Sequence, residues 1–319
     1  MKRTIEWYRT RLNLPVSIMS NNRAGYITVF IAMLCWSLTF VWYKEVYEVF
    51  TPIGTVFLRL LIASVLLLIF TLSIRRLQRI EKSDRLTFLA LAFFEPFIYF
   101  FSESYGMKYV SPTEGAVIIA VIPLLTPFMA KIFFGDRITA LNLLGLVISF
   151  AGVVLVVTNT AFHWKAPVIG VAFMFMAVMA ALGYSAIIMK LSGKYNPFTI
   201  ITYQNSIAGL LFLPLFLIFD LDNFMAIEFT FQNTWPLLKL AVVASAVAYL
   251  FFVYSISKIG IVQANMFTNL IPVFAAIFAW YMLDDELTWR TINGVGLVVV
   301  GLFLPHYGTV RKRYFFLKK

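Results

Sequence analysis

Three charged side chains stand deep inside stretches apolar enough to cross a bilayer: Arg59, Glu95 and Glu103. A charge at that depth costs at least about 2.5–3.5 kcal/mol, so each asks for a partner or a task. At about 1.5 Å per residue, Arg59 falls about 10 Å below one end of its helix. Glu103 falls about 5 Å and Glu95 about 16 Å below the same level. The cation thus sits between two acids in depth, on helices adjacent in sequence, and a salt bridge with either is geometrically open. Glu95, Tyr99, Ser102 and Gly106 recur four, three and four residues apart, which makes one polar stripe facing the bundle interior. Such a stripe suits binding of a substrate ammonium or relay of protons. Pro96 lacks an N–H and frees a carbonyl in the preceding turn, which marks Glu95 as the better functional acid. The competing reading is a buried Arg59–glutamate pair that fixes helix packing and touches no substrate.

The second half offers polar groups without an acid in its spans: Tyr203, Gln204, Asn205, Tyr249, Gln263, Asn265 and Asn269. Asn265 and Asn269, four apart, share a helix face, as Gln204 and Ala208 do. Each alone reads as interhelical hydrogen bonding; together, opposite an acidic first half, they suit zwitterions or neutral metabolites. Pro123, Pro127 and Pro272 are expected mid-helix, as kinks that widen a cavity or serve gating. Trp36, Trp42, Tyr184 and Trp280 either line a pocket or belong to an interfacial belt. Ser111-Pro112-Thr113-Glu114 reads as a capping box, and Asp136 and Asp285 as turn residues. No Ser/His/Asp set, metal-ligand spacing or P-loop occurs, so neither enzyme activity, cofactor nor metal is expected. The lone Cys35 excludes an internal disulfide.

The elements that hold these residues follow from composition. Of 319 residues 61% are hydrophobic and 13% charged, too few charges to clothe a soluble domain of this size. Mean hydropathy is +0.86. The reading is an all-α membrane protein with ten spans, at roughly 27–46, 52–73, 86–106, 112–133, 139–158, 167–190, 197–219, 236–257, 261–282 and 288–306. Basic residues set the orientation. Twenty of the 26 lysines and arginines fall on one side and five on the other, with Arg59 inside a span. That places both termini in the cytoplasm: a basic arm over 1–26 and a basic tail over 307–319. The net charge of +11 is accordingly a signal of membrane orientation, with lipid headgroups rather than nucleic acid as its partner.

The chain also repeats itself. Ser111–Gly152 aligns with Gly260–Gly301 without a gap: Pro123 falls on Pro272, Asp136 on Asp285, Thr139 on Thr288, Gly145 on Gly294 and Gly152 on Gly301. The match extends weakly upstream, where Thr51-Pro52 echoes Asn196-Pro197. Five spans per copy is odd, so residues 27–158 and 167–306 cross the membrane in opposite senses, a 5+5 inverted repeat of the kind transporters use.

With Phe57-Leu58-Arg59, Ala63, Lys108-Tyr109-Val110-Ser111, Ile122-Pro123-Leu124 and Phe134-Gly135-Asp136-Arg137-Ile138-Thr139 in the first copy, the chain resembles the EamA-type branch of the drug/metabolite transporter superfamily. Ile271-Pro272-Val273, Asp284-Asp285-Glu286-Leu287-Thr288, Gly294 and Gly301 carry the likeness in the second. One departure is Asp136 and Asp285, where the family turn usually has Glu. The resemblance implies a ten-helix fold around a central cavity in a bacterial inner membrane, exporting small metabolites such as amino acids or analogues by alternating access, as a monomer or homodimer. Proton coupling through Glu95 or Glu103 is one option. A passive facilitator, exchanger or channel for small neutral or zwitterionic solutes is the other, and a non-transporting membrane protein a third.

Overall fold

The computed structural model describes residues 23–134, 138–158, 165–191, 194–259, 264 and 267–316. Among them every regular element is helical. In chain order these are α1 (Arg23–Val46), α2 (Pro52–Ser73), α3 (Arg85–Ala92), α4 (Tyr99–Tyr109), α5 (Pro112–Ile119), α6 (Ile122–Phe134) and α7 (Ala140–Val157). The second half holds α8 (Val168–Leu191), α9 (Pro197–Phe219), the short α10 (Leu221–Met225), α11 (Phe231–Leu238), α12 (Ala248–Ile259), α13 (Ile271–Leu283) and α14 (Trp289–Phe316). Among the described residues seven helical stretches are long and apolar enough to cross a membrane, and three shorter apolar ones lie at Pro112–Leu125, Thr268–Leu283 and Trp289–Leu304. The last helix continues past 306, where the sequence predicted the final span to end, as far as Phe316.

Local sequence explains where these helices begin. Thr51 caps α2, its hydroxyl accepting from the Gly54 N–H at 3.2 Å, and Pro52 follows in the first helical position. Asn196 and Pro197 open α9 in the same way, the Asn196 carbonyl oxygen accepting from Thr199 N–H at 2.9 Å. At the start of α5 Ser111 and Glu114 form the predicted capping box, with Ser111 N–H donating to the Glu114 carboxylate at 2.8 Å and Glu114 N–H to the Ser111 hydroxyl at 3.2 Å.

Two kinds of interruption recur in both halves. The first is a wide, π-like turn in mid-span. Phe93–Ile98 separates α3 from α4, with Glu95 out of helical geometry at φ −145°, ψ 121°; Lys239–Val247 separates α11 from α12. The second lies at the prolines. Pro123 and Pro272 are each the second residue of a helix, α6 and α13, that restarts after a break at Ala120–Val121 and Thr268–Leu270 respectively. The sequence expected bent helices there, and the structure has interrupted ones. Proline fits the second position because that N–H has no intrahelical acceptor in any case.

Small residues bring the two copies together. α7 and α14 cross antiparallel, and a Cβ built on Gly301 would lie 2.5 Å from the Gly145 carbonyl oxygen. One built on Gly152 would lie 2.5 Å from the Gly294 carbonyl oxygen. Gly294 and Gly301 are the repeat equivalents of Gly145 and Gly152, so each contact is the mirror of the other under exchange of the copies. Ser149 donates to the carbonyl of Val298, its own equivalent, at 3.0 Å. A pseudo-two-fold axis therefore passes beside Ser149. On the outside, Leu61, Val65, Ile69 and Leu72 of α2 and Val147 of α7 are exposed, as lipid-facing helices require.

Candidate functional site

The buried charges converge between α1, α2, α4 and the Lys239–Val247 turn, as one linked network. Arg59 is 2% exposed and Glu103 5%. They form no direct ion pair. The Tyr43 hydroxyl stands between them, accepting from the Arg59 guanidinium at 2.7 Å and donating to the Glu103 carboxylate at 3.0 Å. Tyr99 donates to the other Glu103 oxygen at 3.1 Å. Arg59 also donates from Nε to the Ser245 hydroxyl at 2.5 Å and lies over the Phe100 ring, 4.3 Å from its centroid. The salt bridge left open by sequence is thus replaced by a tyrosine relay, which disperses both charges without bringing them into contact. Tyr43 and Ser245 escaped sequence reading. Tyr43 sits in Trp42-Tyr43-Lys44 at a helix end, a pattern that reads as interfacial belt.

Glu95 is placed differently. It is half-buried in the Phe93–Ile98 turn, and among the described residues no donor or cation pairs with it. Tyr99 of α4, Tyr184 of α8 and Tyr249 of α12 lie within its electrostatic reach. Tyr184 donates to the Gln204 side-chain oxygen at 3.4 Å. The Tyr249 ring meets Trp36 edge to face at 5.1 Å, and the Trp36 indole donates to the Ala244 carbonyl at 3.1 Å. Trp36, Tyr99, Tyr184 and Tyr249 are all half-buried. This group, drawn from both copies, is the candidate site.

The predicted stripe does not survive as one face. The break at Glu95 resets the helical phase, so Glu95 and Tyr99 belong to different helical segments. Ser102 is fully buried and its hydroxyl has no hydrogen-bond partner among the described residues. Gly106 packs against α8, where a Cβ would come within 2.5 Å of the Met174 sulfur. Gln204 is buried at the edge of the site through Tyr184, and Asn205 is buried beside it in α9. Asn269 lies in the turn preceding α13, 1% exposed, with no partner for its amide nitrogen among the described residues. Asn265, Gln263 and Asp136 lie outside the described residues. Trp280 is 54% exposed on the outer surface, and Trp42 is buried under the Lys239 ammonium, which sits 5.3 Å from its ring.

Polar contacts gather at both ends of the bundle. At one end Lys44 donates to the Met107 carbonyl at 2.7 Å, Lys239 pairs with Glu45, and the buried Asp220 carboxylate abuts Gly54 in the first turn of α2. A carboxylate at a helix N-terminus is favourable because the N–H groups there carry partial positive charge. At the other end Lys194 bridges Glu81 at 2.5 Å and Asp84 at 2.6 Å. Tyr195 donates to Asp84 at 2.8 Å, and the Asn196 amide donates to the Arg76 carbonyl at 2.6 Å. Hydrogen bonds from Lys194 and Tyr195 hold the Asp84 carboxyl below its ordinary range.

Comparison with known proteins identifies the family. The profile of the EamA-like transporter family matches residues 23–158 and again 168–305. An uncharacterized transporter of Archaeoglobus fulgidus is 27% identical over 288 residues, spanning 90% of this chain and 99% of its own. The uncharacterized transporter YoaV of Bacillus subtilis is 20% identical, covering 88% of this chain and 96% of its own. A solved crystal structure superposes with a TM-score of 0.67 at 15% identity, over 91% of this chain and 99% of that one, and so shares the fold. Integral, multi-pass and matched twice by one family profile, the chain belongs to the EamA-like transporter family.

Proposed function

We propose that this protein is a secondary transporter that exports small metabolites, amino acids or their analogues, by alternating access between two inverted halves. The observation that carries the reading is the exchange symmetry at α7 and α14, with Gly145 against Gly301 and Gly152 against Gly294. It supports two copies lying in opposite senses. Two such halves can swap conformations and open the same chamber to either side in turn. The paired interruptions add to this, because broken helices concentrate at transporter binding sites, where unwound backbone lines a cavity.

The finer assignment has ten spans, the seven long helices plus the three shorter ones, with the halves at 27–158 and 167–306. Both termini, the arm 1–26 and the tail 307–319, lie in the cytoplasm of a bacterial inner membrane, where anionic lipids meet the basic segments. On that orientation the Lys194–Glu81–Asp84 contacts face inward and the Lys239–Glu45 pair outward. The pathway is lined by Glu95, Tyr99, Gln204, Asn205, Tyr249, Asn265 and Asn269. Arg59, Glu103 and Ser102 form its buried wall, and the breaks before Pro123 and Pro272 act as gating points. The unit is a monomer or homodimer, without cofactor or metal.

Glu95 is the coupling acid of this reading. Metabolite comparison of medium from cells with and without the protein identifies a solute, which is then followed in proteoliposomes under an imposed pH gradient. Glu95→Gln is expected to abolish pH-driven flux and leave exchange partly intact. Unchanged pH dependence retires the coupling role and leaves a passive facilitator. Cysteine labelling at 136 and 285 is expected on opposite faces of the membrane; labelling on one face overturns the inverted arrangement.

A further inference from the structure

By the predicted spans, every lysine and arginine of the chain other than Arg59 falls at a helix end, in a link or in one of the two basic tails. Arg59 is occupied: Ser245, Tyr43 and the Phe100 face account for its guanidinium. Glu103 is likewise engaged by two tyrosine hydroxyls. Glu95, deeper than either, has no such partner among the described residues. A carboxylate at that depth is tolerated when a cation meets it, and none of the described residues supplies one. Tyr99, Tyr184 and Tyr249, drawn from both halves, lie within its electrostatic reach, and the Trp36 ring packs against Tyr249. The Tyr249 hydroxyl also has no hydrogen-bond partner among the described residues. A carboxylate with aromatic side chains near it is an arrangement that recognises organic ammonium groups, through charge and cation–π attraction.

We infer that the Phe93–Ile98 turn is the recognition site for the ammonium end of a small organic solute, with Glu95 as its counter-charge and Tyr99, Tyr184 and Tyr249 as its aromatic walls. The inference rests on the transport reading and names the part of the solute that the chamber holds. A neutral or purely anionic solute gains nothing from this turn. An amine bound here need carry no carboxylate, since no cation among the described residues pairs with Glu95 or stands by to receive one.

Binding to the purified full-length protein in detergent, read by quenching of intrinsic tryptophan fluorescence and by calorimetry, tests this without any flux. The probes are phenethylamine, its neutral isostere phenethyl alcohol, and 3-phenylpropionate. Phenethylamine is expected to bind at one site, with both other probes at least tenfold weaker. Glu95→Gln is expected to weaken phenethylamine at least tenfold and leave phenethyl alcohol unchanged. Tyr249→Phe, which keeps the ring face, should retain amine affinity within about threefold, whereas Tyr249→Leu should lose it. Gel filtration and a thermal melt establish that each variant is folded; if Glu95→Gln fails to fold, the Tyr249 pair decides. Equal binding of amine and alcohol, or equal amine affinity of the two Tyr249 variants, overturns the site. Amine binding that follows this pattern while vesicles show no flux leaves the site standing and removes the transport reading; flux with Glu95-independent binding does the reverse.

Discussion

The third span of each half opens into a wide turn at corresponding places, Phe93–Ile98 in the first copy and Lys239–Val247 in the second, and the protein finishes them differently. In the second copy the loosened backbone is closed from within. Trp36 donates to the Ala244 carbonyl, Ser245 donates to the Leu240 carbonyl at 3.2 Å, and Arg59 holds Ser245 in turn. In the first copy the corresponding turn carries an acid that no described residue pairs with. A backbone distortion of one kind thus serves as a structural joint where side chains complete it, and as a candidate binding place where they do not. The comparison predicts that substitutions around the second turn are read in stability, and substitutions at the first in function.

The largest expected effect is at the joint. Arg59→Leu removes the hub that bridges the second turn to Glu103 and leaves Glu103 and Tyr43 buried without it. A loss of about 3–5 kcal/mol is expected, measured as denaturant or thermal unfolding in detergent. If Arg59→Leu folds as well as the parent, the joint is misassigned. Glu95→Gln comes next and separates the two turns: pH-driven flux is lost and amine affinity falls at least tenfold while the unfolding midpoint stays near that of the parent. A drop in stability as large as that of Arg59→Leu would make Glu95 structural too. Trp36→Phe keeps a ring against Tyr249 but removes the indole N–H from the Ala244 carbonyl, for an expected cost of about 1–2 kcal/mol. A melt unmoved by this change would mean that the Ala244 carbonyl finds another donor.

The smallest effect belongs to the contacts remote from either turn. Lys194→Met breaks the exposed bridge to Glu81 and Asp84, and partly exposed ion pairs contribute little. Because the Asp84 carboxyl is held below its ordinary range, its contribution is complete above about pH 4 and fades as pH falls through the lower folded-state value. Lys194→Met should therefore flatten the acid limb of the pH–stability curve and leave the neutral region nearly unchanged. A melt at pH 7 that moves more than that of Trp36→Phe would place this end among the joints.

Much of this architecture was legible because the signals involved are local. Thr51-Pro52, Ser111-Pro112-Thr113-Glu114 and Asn196-Pro197 are caps whose chemistry is complete within four residues, and the helices start there. The Lys239–Val247 turn gave no warning, since its residues, Lys-Leu-Ala-Val-Val-Ala-Ser-Ala-Val, include no proline or glycine to break a helix. It is set by Trp36 and Arg59, about two hundred residues away in the chain. The aromatic residues were equally opaque. Trp36 and Trp280 look alike in sequence, yet one donates to a backbone carbonyl in the interior and the other is exposed.

Sequence by itself determined the apolar helices, the duplication, the depth of Arg59, Glu95 and Glu103, and the likeness to one transporter family, because hydrophobic run length and proline and glycine spacing act along the chain. Only the tertiary structure decided which acid is engaged and which stands open. Depth along a helix follows from counting residues, whereas rotation about its axis is settled by the neighbours it packs against. Tyr43 reaches Glu103, and nothing among the described residues reaches Glu95, because of how α1, α2, α4 and the two wide turns are turned toward one another.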